Sequence, residues 1–125
     1  MTENQIGDAI IASAIKVHTA VGPGLLESAY ETCLVYELER RTVPVHRQLL
    51  VPIRYDDLTI DNGYRIDLLV GNKVIVELKA VESLLPVHRG QLLGYLKLGC
   101  FKLGYLLNFN VAHMRDGIVR LVNGL

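Results

Sequence analysis

Asp67, Glu77 and Lys79 are the residues of this chain whose types and spacing most suggest chemistry. They fall in Tyr64-Arg65-Ile66-Asp67-Leu68-Leu69-Val70-Gly71-Asn72-Lys73-Val74-Ile75-Val76-Glu77-Leu78-Lys79. Two carboxylates and an ammonium interrupt an otherwise apolar stretch. Burying an unpaired ion costs on the order of several kcal/mol, so something must stabilise these groups. A divalent cation is a good candidate. Mg²⁺ typically takes one or two carboxylates together with waters and substrate phosphates. A metal held by Asp67 and Glu77 could activate a water and polarise a phosphoryl oxygen. Glu77 and Lys79 are two apart, so they project from one face of a strand. Lys79 could then orient the water or offset charge developing on a phosphate. The bland alternative is a solvent-facing sheet with a salt bridge between Lys79 and either acid.

The turn between the two halves decides whether the acids meet. With Gly71-Asn72-Lys73 as a three-residue hairpin loop, Val70 pairs with Val74 and Asp67 lies opposite Glu77. One face is then Ile66, Leu68, Val70, Val74, Val76 and Leu78, all apolar. The other carries Arg65, Asp67, Leu69, Ile75, Glu77 and Lys79. A two-residue loop would put the acids on opposite faces and mix polar with apolar on both. Register follows the hydrophobic face, so the odd loop is expected.

Further candidates come from two helices. Glu27, in Gly24-Leu25-Leu26-Glu27-Ser28-Ala29-Tyr30, sits in a first helical turn. An acid there is favourable for the helix dipole on its own account; it could also bring a further carboxylate to a metal. Tyr30 reads as core or as the residue that orients Glu27. Gln91 and Tyr95 share a helix face, with His88 one turn earlier. That stripe is either a solvated surface or the lining of a cleft that contacts phosphate or positions a water. His18 precedes Gly22-Pro23-Gly24 and suits a helix C-terminus. Ser28 has no triad-like partners, and no glycine-rich phosphate loop is present.

These residues must be positioned by the following elements. Helical spacing of Ile6, Ala9, Ile10, Ala14 and Val17 predicts a helix over residues 4–20, broken by Gly22-Pro23-Gly24. A second helix is expected over 25–41, with Leu26, Ala29, Tyr30, Cys33, Leu34 and Leu38 on one side. Residues 45–55 read as a strand, in which Pro52 suggests an edge or a bulge. A turn region follows between Asp56 and Gly63, then the charged hairpin at 64–70 and 74–80. Pro86 suits the first turn of a third helix running to about Leu98. Leu103–Phe109 is an apolar strand, and Val111–Met114 with Ile118–Val122 is expected as a small hairpin around Asp116-Gly117. The order α, α, β, β, β, α, β implies an α+β fold with helices on a mixed sheet.

The 125 residues fit one domain spanning 1–125. Half are hydrophobic, enough for a real core. No apolar run approaches the roughly 18 residues of a membrane span, and the N-terminus lacks the basic region of a signal peptide. Cys33 and Cys100 are expected as buried free thiols in a reducing cytoplasm. Formal net charge is zero, which argues against strong non-specific nucleic-acid binding.

The chain resembles the GxxExxY family, whose motif is here Gly24-Leu25-Leu26-Glu27-Ser28-Ala29-Tyr30. The likeness takes in Val21-Gly22-Pro23-Gly24, Tyr64 to Val70, Val76-Glu77-Leu78-Lys79-Ala80, Gln91-Leu92-Leu93-Gly94-Tyr95-Leu96-Lys97 and Leu107-Asn108-Phe109. Any one block is weak; the ordered set is specific. The family is placed in the PD-(D/E)XK nuclease superfamily, so the resemblance implies a restriction-endonuclease-like αβββαβ core with an extra N-terminal helix here. It implies that Asp67 and Glu77 are the motif's acids, that Lys79 is its lysine, and that Glu27 is the acid from the core's first helix. Gln91 and Tyr95 look like the glutamine–tyrosine pair of the exonuclease-type branch.

On this basis the expected activity is Mg²⁺- or Mn²⁺-assisted phosphodiester hydrolysis in nucleic acid, with DNA ahead of RNA. Asp67, Glu77, Glu27 and the carbonyl of Leu78 are the expected metal ligands. Lys79 assists the water, and Gln91 and Tyr95 orient substrate or the lysine. The rival reading is a catalytically silent binding or assembly module on the same fold. Hydrolysis of a small phosphorylated molecule is a third. The small surface points to a homodimer or a larger protein partner, with no membrane partner.

Overall fold

The computed structural model describes residues 1–125. Two helices lead: α1 (Glu3–Val21) and α2 (Glu27–Arg40). They are followed by β1 (Val45–Tyr55), β2 (Leu58–Val70), β3 (Val74–Lys79), α3 (Pro86–Gly99), β4 (Leu103–Asn108) and β5 (Ile118–Val122). The five strands form one mixed sheet in the order β1-β2-β3-β4-β5. All neighbouring pairs are antiparallel except β3 and β4, which run parallel with α3 as the crossover.

Each helix forms where the sequence supplies a start and a stop. Thr2 caps α1 reciprocally with Gln5, and Gly22 ends it. Such a capping box satisfies two otherwise orphaned N–H groups. Pro86 opens α3 with its φ already preset for a helix. Ile6, Ile10, Ala14 and Val17 of α1 and Tyr30, Leu34, Val35 and Leu38 of α2 bury one stripe each. They pack with Leu68, Val70, Val74, Val76 and Leu78 of the hairpin and with Leu103, Tyr105 and Leu107 of β4. A smaller core forms with α3, where Leu92 and Leu96 meet Tyr64, Ile66, Leu69, Ile75 and Leu106. The sheet therefore lies between α1 and α2 on one side and α3 on the other.

The hairpin register is the expected one. Val70 pairs with Val74, Leu69 with Ile75 and Leu68 with Val76. Gly71 (φ 60°) and Asn72 (φ 60°) close the loop in the left-handed region, which glycine and asparagine tolerate. The even alternation does not hold throughout. Ile66, expected on the face of Leu68, belongs instead to the α3-side core with Leu69. The physical cause lies at Asp67. The β2–β3 ladder ends at Leu68 and Val76, and across from Asp67 in β1, Gln48 adopts φ 51° between the pairs Arg47–Leu68 and Leu49–Ile66. A strand freed on one side and kinked on the other need not keep its pleat.

Four other expectations are corrected. The turn region is confined to Asp56-Asp57 and does not extend to Gly63. β2 begins at Leu58 and continues the ribbon with β1, which shifts register between Val51 and Ile53, beside Pro52 on the sheet edge. Val111–Met114 forms no strand, and β5 pairs with β4 rather than with a hairpin partner. The thiols are free, but Cys33 is only half-buried and Cys100 is exposed. Leu26 is the N-cap residue of α2 and is 77% exposed, outside the buried stripe. No helix is long and apolar enough to cross a membrane.

Gly90 and Gly94 lie inside α3, and a Cβ built on either meets no atom within 4 Å. Alanine there loses the conformational cost of glycine, worth up to about 1 kcal/mol per site. Gly90→Ala and Gly94→Ala should each raise the thermal midpoint; a lowered midpoint in calorimetry would show that these glycines make a needed close approach.

Candidate active site

The site forms where the sheet splits. Past Leu68 the β2 strand no longer pairs with β3, and the Asp67 side chain takes over. Its Oδ2 accepts the Leu78 N–H at 2.8 Å, satisfying a backbone donor that the ladder leaves open. Two adjoining clefts, of about 190 and 380 Å³, meet at Asp67 and Arg65, which line both. The first is also lined by Glu27, Ser28, Glu31, Gln48 and Leu78. The second is completed by Leu50, Glu77, Lys79, Gln91 and Tyr95. Asp67, Glu77, Lys79, Glu27, Leu78, Gln91 and Tyr95, all named from sequence, thus border one or other of these clefts.

They are not gathered equally. Asp67 and Glu77 line the same cleft, and Asp67 is near enough to act on the Glu77 carboxyl. Glu77 is 8% exposed, and its Oε1 is buried without any hydrogen-bond partner. Burial, then the neighbouring Asp67, pushes the Glu77 carboxyl up to about 9 against the opposing pull of Lys79. Glu27 is exposed at the start of α2 and lines only the first cleft, not the one that holds Glu77 and Lys79. No group of three or more acid, histidine or cysteine side chains is drawn together around a single point. The expected three-acid set is therefore a close pair, Asp67 and Glu77, with Glu27 across the cleft.

The residues fit a divalent cation. A buried carboxyl oxygen without a partner costs about 1–3 kcal/mol or more, and a proton or a cation relieves that cost. Asp67 turns one oxygen to Leu78 N and lines the same cleft as Glu77. Oxygen donors of this kind suit Mg²⁺ or Mn²⁺.

Supporting contacts place the rest. Tyr30 is fully buried; its hydroxyl donates to Gly22 O at 2.6 Å and accepts from Leu25 N–H at 3.1 Å. Its ring stacks on Phe109 at 4.5 Å. Tyr30 is both core and the pin that holds the Gly24 turn (φ 97°) and so the start of α2, where Glu27 sits. Tyr95 stacks on Tyr64 at 4.4 Å, and the Tyr64 hydroxyl donates to Tyr95 O at 3.3 Å. Burial, then the nearby Glu77, keeps the Tyr95 phenol protonated above its usual range despite Gln91 beside it. Asn108, paired with Lys79 across the parallel ladder, accepts from Val81 N–H and donates to Val81 O. With the Phe109 N–H bond to Lys79 O, it fixes the end of β3.

Sequence reasoning did not assign Tyr64, Asn108, Glu31 or Gln48 to the site. Glu31 is buried by bonds from Arg47 (2.9 Å) and Gln48 (2.6 Å). Its position four residues after Glu27 was the available signal. His88 does not join Gln91 and Tyr95 in the cleft; its Nδ1 accepts Leu85 N–H and caps α3. His18 is a tertiary anchor, with Nε2 2.8 Å from Val111 O.

Two measurements test this geometry. Glu77 binds its proton more tightly folded than unfolded, so the folded state holds more protons between about 4.5 and about 9. Stability of the metal-free protein should therefore fall as pH rises through that window, and Glu77→Gln should flatten the fall in a series of thermal melts. Tyr30→Phe leaves Gly22 O and Leu25 N–H unpartnered and should cost about 1–3 kcal/mol in denaturant unfolding.

A family model for the PD-(D/E)XK nuclease superfamily matches residues 4–121. No curated protein and no solved structure matches the chain. The matched span takes in α1 through most of β5, including both clefts and all of the residues that line them. The mixed sheet flanked by helices is the restriction-endonuclease-like arrangement, and the chain belongs to the PD-(D/E)XK nuclease superfamily.

Proposed function

We propose that this protein is a metal-dependent nuclease that hydrolyses phosphodiester bonds, with DNA ahead of RNA as the polymer. The observation that carries this reading is the buried Glu77 Oε1, unpartnered beside Asp67 in a cleft that Lys79 also lines. Asp67, Glu77 and the Leu78 carbonyl would hold Mg²⁺ or Mn²⁺, with Glu27 tuning the site from α2. The cation, when bound, supplies Lewis acidity and an acidified water. Lys79 positions the attacking water and offsets charge that develops on the phosphate. Gln91 and Tyr95 offer neutral donors to the substrate, and the raised Tyr95 phenol keeps its proton for that purpose. The Gly24-to-Tyr30 motif supports placement in the GxxExxY branch, because each named residue has a task in setting Glu27. The two free thiols suit a reducing cytoplasm.

The rival is a binding or assembly module on the same fold that does not cut. Its support is specific: only two acids are drawn close, with no third ligating side chain. Zero net charge points the same way. Either reading leaves room for a homodimer or a larger partner.

A Mg²⁺ or Mn²⁺ cleavage assay on single-stranded DNA, duplex DNA and RNA decides between them. Glu77→Ala and Lys79→Ala should each lower the rate by about 100-fold or more. Cleavage unchanged in both variants removes the mechanism. Calorimetric Mn²⁺ binding without turnover on any polymer supports the module.

A further inference from the structure

Arg65 lines both clefts together with Asp67, and no acid in the protein pairs with it. It lines the cleft of Glu27 and the cleft of Lys79, Gln91 and Tyr95. It is exposed, forms no salt bridge and makes no side-chain hydrogen bond, although the protein's ion pairs and polar bonds include its neighbours Glu31, Arg47 and Gln48. Glu31, an acid of the same cleft, is already bonded by Arg47 and Gln48. A guanidinium left free between carboxylates is available to an outside anion. Its planar fork matches a phosphate.

The strand opposite adds the second half. Leu50 is the cross-strand partner of Arg65. It is 54% exposed and lines the same cleft. A cation beside an exposed aliphatic side chain suits a ligand that alternates charge with apolar surface. A nucleic-acid strand has that character, with phosphates separated by sugars and base faces.

Resting on the nuclease reading above, we propose that Arg65 binds a backbone phosphate flanking the one that is cut, while Leu50 packs against the adjoining nucleoside. The strand then crosses the split sheet over Asp67, from the Tyr95 side toward α2. Arg65 makes the affinity depend on salt; Leu50 adds contact that does not.

The test is fluorescence anisotropy of labelled single-stranded and duplex oligonucleotides, titrated with salt in EDTA so that no metal-supported cleavage intervenes. Arg65→Gln should weaken binding roughly tenfold or more. It should also reduce the slope of log affinity against log salt by about 0.7 for a single strand or 0.9 for a duplex. Arg65→Lys should keep the slope and lose part of the affinity. Leu50→Ala should lose affinity with the slope unchanged. Both side chains are exposed, so thermal melts of the variants should match the parent. Wild-type affinity and slope in Arg65→Gln overturn the assignment and leave the nuclease reading standing. No binding of any strand by the wild-type protein, together with no cleavage when Mg²⁺ is supplied, overturns both.

Discussion

A carboxyl group buried against a second carboxyl, with one oxygen facing no donor, must hold a proton or meet a cation. Glu77 is in that position beside Asp67. The arrangement is costly by itself, since two like charges in a poorly solvated notch cannot both ionise freely. The surrounding fold has to hold them there. β3 is locked between two neighbours, with Val74 and Val76 in the larger core and Ile75 in the smaller. The backbone that carries Glu77 is therefore held in the sheet beside β4.

The split in the sheet is what brings the other groups to this pair. If β2 stayed paired with β3 along its length, Asp67 would have no backbone donor to accept and no opening toward α2. Because the ladder stops at Leu68 and Val76, Asp67 occupies the gap and bonds Leu78 N. The gap then opens to both layers of helix. Glu27 approaches from α2, held by the Tyr30 pin, and Gln91 and Tyr95 approach from α3, held by the Tyr64 stack. The supporting contacts are aromatic and backbone bonds, which keep their geometry when charges in the cleft change.

Much of the fold was legible because its signals are local and periodic. The three helices lie within a few residues of their expected bounds. The Gly71-Asn72-Lys73 loop produces the expected register because only that register collects Leu68, Val70, Val74 and Val76 on one buried face. The misreadings occur where non-local contacts override pattern. Residues 58–63 look like a turn region from Asp61-Asn62-Gly63, yet pairing with β1 draws them into β2. Ile66 changes face because Gln48 and the strand split interrupt the pleat. Ile118–Val122 pairs with β4 rather than with the chain just before it.

By itself the sequence determined which side chains could carry chemistry and which faces must be buried, since alternation, helical spacing and turn residues act over a few neighbours. It could not determine how far apart those side chains end. Tertiary structure alone decided that Asp67 and Glu77 pack together while Glu27 stays across a cleft. It also decided that Glu77 keeps an unpartnered oxygen and that Arg65 is left without an acid. Those outcomes depend on burial and on donors supplied from distant parts of the chain. Such donors are matched only when the sheet and both helix layers close around the same point.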